Sequence, residues 1–142
     1  MSTTPYESAS LLLRLYELRR EPTMRDARNW YAREFNPTSV DEIMAAVRGP
    51  HSGHFRMVTS YWDMAASFVL NGAIDEKMFL DANGEHLVAF AKVEPFVEEY
   101  RARMGNAAYL KSLEALVRAQ PGSAQATASL RERFRAMAAA AP

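Results

Sequence analysis

Sixteen consecutive residues, Phe55 to Leu70, constrain the fold more than any other stretch: FRMVTSYWDMAASFVL carries apolar side chains around most of a helix. At roughly 100° per residue, Arg56, Thr59, Ser60, Asp63 and Ser67 fall within one arc of roughly 100°. Phe55, Met57, Val58, Tyr61, Trp62, Met64, Ala65, Phe68 and Val69 cover most of the remainder, a band wider than the stripe of a helix that touches a core from one side only. Such a helix needs neighbours on two or three sides. The pattern predicts a central buried helix over about residues 53–71, with the rest of the chain packed around it.

The flanking sequence supplies those neighbours as helices. Thr4-Pro5-Tyr6-Glu7 reads as a capping box with proline in the first turn, where its missing N–H is no loss. Leu11, Leu12, Leu15 and Leu18 then mark one face, widened by Leu13 and Tyr16. Pro22 ends that helix, Thr23 with Asp26 starts a second, and Met24, Ala27, Trp30, Tyr31 and Phe35 are its inner face before Asn36-Pro37. Ser39 and Glu42 form another capping box, and Gly49-Pro50 stops the short helix it opens. Gly72 suits a left-handed helix end, and Asp75 can cap a helix in which Ile74, Met78, Phe79 and Ala82 face inward. Residues 85–104 keep helical spacing across Pro95, which predicts one kinked helix. Glu99 with Arg103, and Glu114 with Arg118, are i, i+4 pairs that favour the helices holding them. From about residue 123 the chain is alanine-rich, with only Leu130, Phe134 and Met137 as large apolar residues, the mark of a helix that stays frayed until it docks. No alternating strand pattern or internal repeat interrupts this series. The expected fold is all-α: a single-domain helical bundle of about six or seven helices spanning residues 1–142.

Composition removes several function classes. There is no cysteine, so disulfide scaffolds, thiolate zinc sites and cysteine nucleophiles are out, and the expected location is the cytoplasm. The first residues lack the basic and apolar regions of a secretory signal, and no window reaches the roughly 18 apolar residues of a membrane span. Formal net charge is zero, which gives no long-range pull toward nucleic acid or anionic lipid. Arginines crowd the first two helices, but Glu17, Glu21, Asp26 and Glu34 are interspersed and Trp30 and Tyr31 fall on the inner face, so a nucleic-acid interface is not expected. The charges are nevertheless segregated. Residues 57–100 carry eight acids against Lys77 and Lys92, a balance of −6, and residues 101–142 carry seven bases against Glu114 and Glu132, a balance of +5. The simpler reading is solvated helix faces; the alternative is that these segments pair with each other or with a second copy.

Two side-chain groups stand out as candidate sites. Ser60, Asp63 and Ser67 lie on the polar stripe of the central helix, and with Tyr61 they could orient a polar ligand if a cleft opened there. Asp63 must otherwise find a donor, and Arg28 is the natural partner for a buried salt bridge that holds helix register. His51 and His54 form an H-x-x-H pair that could hold a metal with Asp63 or His86, but the glycine between them leaves the geometry loose and no E-x-x-H accompanies it. The simpler reading of both is loop histidines that hydrogen-bond. No phosphate loop, nucleophile elbow or Ser/His/Asp set is present, so no catalytic residue and no cofactor is expected.

The segments NGAIDEKMF and VEPFVEEYRARMGNAAYLKSLEALV carry a resemblance. An aromatic-rich helix ending in Asn71-Gly72-x-Ile74-Asp75, a helix with Pro95 and Arg101, and a helix with Tyr109, Leu113 and Glu114 together resemble an uncharacterised family of small all-helical bacterial proteins, a domain of unknown function. The likeness runs from about Phe55 to Val117 and implies the helical fold without any transferable site residue. The expected function is a non-enzymatic interaction or scaffold module that self-associates as a homodimer or takes a protein partner. The alternative is a small-molecule binder, or an enzyme, that uses the polar stripe of the central helix.

Overall fold

The computed structural model describes residues 3–142, which form nine α-helices and one 3-10 turn, with no strand among them. The helices are α1 (Pro5–Arg19), α2 (Pro22–Arg33), α3 (Val40–Arg48), α4 (Ser52–Leu70), α5 (Glu76–Ala82), α6 (Glu85–Ala91), α7 (Val97–Met104), α8 (Lys111–Arg118) and α9 (Ser123–Ala140); the 3-10 turn is Glu94–Phe96. Of the described helices none is long and apolar enough to cross a membrane.

Helix α4 is the centre, bounded within a residue of expectation, and it packs on α2, α3, α5, α6 and α8. Phe55, Val58, Tyr61, Trp62, Ala65, Ala66 and Val69 are buried, while Met64 at its outer edge is exposed. Around it Trp30, Tyr31, Phe35, Phe79, Phe90, Leu113 and Leu116 close the core. These aromatic rings pack against α4, within which Trp62 lies edge-on to Tyr61 at 4.9 Å between ring centroids.

The local signals place most helix ends. Glu7 N–H donates to Thr4 Oγ1 (3.1 Å) and Thr4 N–H to Glu7 Oε1 (3.0 Å), so the first capping box forms in full. Ser39 caps α3, Asp75 caps α5 through Met78 N–H (2.9 Å), and Gly72 and Gly105 take the left-handed conformation. Helix α2 begins earlier than Thr23: Pro22 occupies its first turn, and Glu21 caps it by accepting from Met24 N–H (3.0 Å). Proline here starts a helix as well as ending one.

Residues 85–104 are not one kinked helix. They divide into α6, the 3-10 turn and α7. Pro95 has no N–H to give the Ala91 carbonyl one turn back, and that carbonyl accepts instead from Arg131 Nη1 of α9 (2.8 Å). The break thus creates the acceptor that the last helix uses to dock. Arg131 also reaches Glu94 Oε1 (3.2 Å), Arg135 donates to the Pro37 carbonyl (3.2 Å), and Thr127 bonds Glu94. Helix α9 lies against α6, α2 and α8, with Leu130 and Phe134 half-buried and Met137 left exposed.

The segregated charges meet inside the chain. Glu94 pairs with Arg118 and Arg131, Glu98 with Arg101, and Glu99 with Arg103. Two polar groups sit deep in the packing. Lys92, 3% exposed, donates from Nζ to the carbonyls of Tyr31 (2.7 Å), Ala32 (3.0 Å) and Phe35 (2.8 Å) at the end of α2, and the Phe134 ring lies 4.6 Å from it. Burial pulls its pKa down to about 7, while the carbonyl dipoles at a helix C-terminus and the ring favour the charged form. His86 is 1% exposed among Trp62 and Phe79, neither ring nitrogen is hydrogen-bonded, and burial lowers its pKa to about 4.

Candidate functional site

The polar stripe of α4 runs into a groove. Past the point where α8 covers it, an open cavity of about 720 Å³ lies between α4, α7 and the loop of residues 105–110. Arg56, Thr59, Ser60 and Asp63 form its floor; Phe55, Tyr100, Met104, Tyr109 and Leu110 form its sides. The stripe thus meets a cleft, as its pattern allowed.

Of the four residues singled out from the sequence, the structure brings two to this groove. Ser60 is exposed in it and donates back to the Met57 carbonyl (3.4 Å). Asp63 lines its inner end. Tyr61 points away, donating to the Leu15 carbonyl of α1, and burial pushes its hydroxyl pKa up to about 12. Ser67 sits a turn further on and accepts from the Asn71 side-chain amide (3.3 Å).

Asp63 does not pair with Arg28. Its Oδ1 accepts from Leu113 N–H (2.9 Å) in the first turn of α8, a helix whose own N-cap residue, Leu110, offers no side-chain acceptor. A carboxylate at this end of a helix satisfies one orphan donor and complements the macrodipole. Arg28 instead binds Glu85 through Nε (2.9 Å) and Nη2 (2.8 Å), a bidentate pair that also takes in Arg19 (3.3 Å) and ties α1, α2 and α6 together.

One wall of the groove is held by a network that composition and spacing do not reveal. Arg101 is 4% exposed; its Nε donates to the Tyr109 carbonyl (2.7 Å), and its guanidinium reaches Glu98 (2.7 Å) and Glu114 (3.3 Å). Burial alone would raise the pKa of Glu114, but the bonds and charge of Arg101, with Arg118 and Lys111, outweigh it and hold the carboxylate below its usual value. Leu110 is buried with φ at +56°, the one described non-glycine residue in the left-handed region. A branched side chain there costs on the order of 1–3 kcal/mol, which the Arg101 clamp and the burial of Leu110 must offset. Tyr109 is thereby fixed against Tyr100, at 4.8 Å between ring centroids, and its hydroxyl lies 3.3 Å from Thr59 Oγ1. Burial raises the pKa values of both tyrosines, so both are neutral hydroxyls.

The histidine pair lies elsewhere, at the start of α4. His51 stacks on Trp30 at 5.0 Å and His54 lies 5.6 Å from His51, while His86 packs against Trp62. Among the described residues no group of three or more metal-ligating side chains converges. The stacking on Trp30 explains the H-x-x-H spacing as packing.

A second surface is apolar. Helix α1 buries only Ser8 and Leu15; Tyr6 is 81% exposed, Leu13 63%, and Tyr16 and Leu18 49% each. The face expected from Leu11, Leu12, Leu15 and Leu18 is therefore only partly covered, because α1 meets the molecule chiefly along α2 and α5. Between α1 and α5 lies an open apolar groove of about 500 Å³, with Leu12, Leu13, Tyr16 and Met78 along it. The leucine periodicity of α1 predicts an inner face but not how much of that face its neighbours cover.

No curated protein and no solved structure matches the chain. A family model does match, over residues 6–120, which extends the likeness seen at Phe55–Val117 to the first three helices. The chain belongs to the family described as a domain of unknown function, DUF4760.

Proposed function

We propose that the protein is a non-enzymatic helical interaction module of the bacterial cytoplasm that self-associates through α1. The observation that carries this reading is the outward face of that helix: Tyr6, Leu13 and Tyr16 at i, i+7 and i+10, exposed beside the apolar α1–α5 groove. Apolar patches of this kind mark contact surfaces. A second copy suits it as the occupant. Glu7 lies in the first turn of α1, whereas Arg14, Arg19 and Arg20, with Glu17 among them, lie toward its end. Two such helices packed antiparallel set the acidic start of each beside the basic end of the other and oppose their dipoles, as a two-fold interface allows.

Magnitude limits the claim. A helix of this length is roughly 22 Å long and 10–12 Å wide, well under the about 800 Å² per partner of a standard interface, even with the α5 flank added. The dimer is therefore weak and concentration-dependent. Native mass spectrometry of the purified protein is the direct test: a dimer without adduct, growing with concentration, is expected, and a monomer at every concentration overturns the reading. A stoichiometric small-molecule adduct would bear on the groove of α4, whose clamped wall favours a second reading, and would leave the α1 reading to the dimer itself.

A further inference from the structure

We infer that the groove between α4, α7 and the 105–110 loop binds a small amphipathic monocarboxylate, its charge at Arg56 and its apolar body against Met104 and Tyr109. This inference is independent of the α1 reading, since the two surfaces share no residue.

The charge pattern inside the groove selects the ligand. Arg56 lines it, is exposed, and has no ion-pair partner among the described residues, whereas Arg101 and Arg103 nearby are each paired twice. Asp63, at the other end of the same stripe, already complements the start of α8 through Leu113 N–H. Seven residues of helix separate the two, about 10 Å along the axis. The groove thus offers one uncompensated cation at one end and a carboxylate at the other, so a ligand with one negative charge fits at Arg56, and a second would meet Asp63. Ser60 stands one turn from Arg56 and supplies a hydroxyl beside it. Beyond the charge the accessible wall is Met104 and Tyr109, with Phe55, Tyr100 and Leu110 buried behind them, an apolar and aromatic slot of the kind that holds a hydrocarbon or aryl body.

The groove is also built. A buried ion pair is a poor source of stability compared with apolar packing, and a left-handed leucine is strained. Here both act on the same short loop: Arg101 fixes the Tyr109 carbonyl, and Leu110 turns the chain so that Tyr109 forms the wall with the Leu110 side chain buried behind it. A preformed wall lowers the ordering cost of binding.

The probe is 2-naphthoate, titrated into the full chain and followed by amide chemical shifts, with the neutral 2-naphthalenemethanol as its isostere. Saturable shifts at Arg56, Ser60 and Tyr109 are expected with one site per chain, and the neutral isostere should bind about tenfold more weakly. Arg56→Gln should raise the dissociation constant for naphthoate about tenfold without changing that of the alcohol. Ser60→Trp, which fills the groove from an exposed position, should abolish both. Leu13→Asp on α1 should change neither, which separates this site from the self-association surface. Equal affinity for acid and alcohol, an unchanged constant in Arg56→Gln, or shifts confined to α1 and α5 would each overturn the assignment.

Discussion

Helices α1 and α4 are both rich in apolar residues and differ in the molecule. Helix α1 holds five leucines in 15 residues and buries Leu15 alone of them; α4 holds one leucine in 19 residues and buries eight side chains, Thr59 among them. Hydrophobic content does not decide burial. What decides it is how many elements converge: α4 has α2, α3, α5, α6 and α8 around it, and α1 has chiefly α2 and α5. The same contrast sorts their polar groups. On α4 the stripe is recruited to cap α8 and floor a groove. At α1 polar contacts act as fasteners, with Tyr61 on the Leu15 carbonyl, Ser8 accepting from Asp75 N–H (2.9 Å), and Arg19 on Glu85.

The contrast can be broken most severely at the core. Trp62→Ala should cost about 3–5 kcal/mol in urea unfolding, because it empties a fully buried site on α4, whereas Leu13→Ala on α1 should stay within about 0.5 kcal/mol. Equal losses would mean that α1 belongs to the core after all. Arg101→Leu comes next: it leaves Glu114 to Arg118 and Lys111 but frees the Tyr109 carbonyl, so a loss of about 1–3 kcal/mol is expected, together with new motion of the 105–110 loop in relaxation measurements. Retained rigidity there would remove the clamp from the argument.

His86 makes the core side sensitive to acid. Its folded pKa of about 4 lies below the ordinary 6.5, so between those values the unfolded chain binds a proton that the folded chain refuses. Stability is full above pH 6.5 and falls as pH drops, by about 1.4 kcal/mol per unit and about 3 kcal/mol in all. Urea midpoints between pH 6.5 and 5, above the carboxylate range, should show that slope, and His86→Leu should flatten it. A smaller loss belongs to Asp63. Asp63→Ala should cost about 1 kcal/mol, the value of a helix cap, and Asp63→Asn less, because the amide oxygen can still accept from Leu113 N–H. A larger loss in Asp63→Asn would show that its charge matters beyond the cap.

These differences also mark what could be read in advance. Helix ends written in local chemistry were legible: Thr4 with Glu7, Ser39, Gly72 and Asp75 all act where their residue types predict. The central helix was legible because its apolar band was too wide for one neighbour. Pro95 was ambiguous, since a lost hydrogen bond can kink a helix or end it, and the outcome turned on Arg131, about ten turns' worth of chain away, taking the freed carbonyl. Asp63 was legible as a residue in need of a donor, but its donor is a backbone N–H, which sequence does not display. Arg101 and Lys92 were equally hidden, because Lys92 and the Nε of Arg101 donate to carbonyls whose position depends on the fold. The left-handed turn at Leu110 had no signal at all, since leucine is among the residues least suited to it.

Whether α1 is a contact surface and α4 a core element is decided by one experiment, sedimentation velocity of the wild-type protein and of Leu13→Asp with Tyr16→Asp, from roughly 10 µM to 1 mM. The wild type should sediment faster as concentration rises, while the variant should stay monomeric with a melting temperature within a few degrees of the wild type. A wild type that is monomeric throughout, a variant that associates as readily, or a variant that unfolds would contradict it.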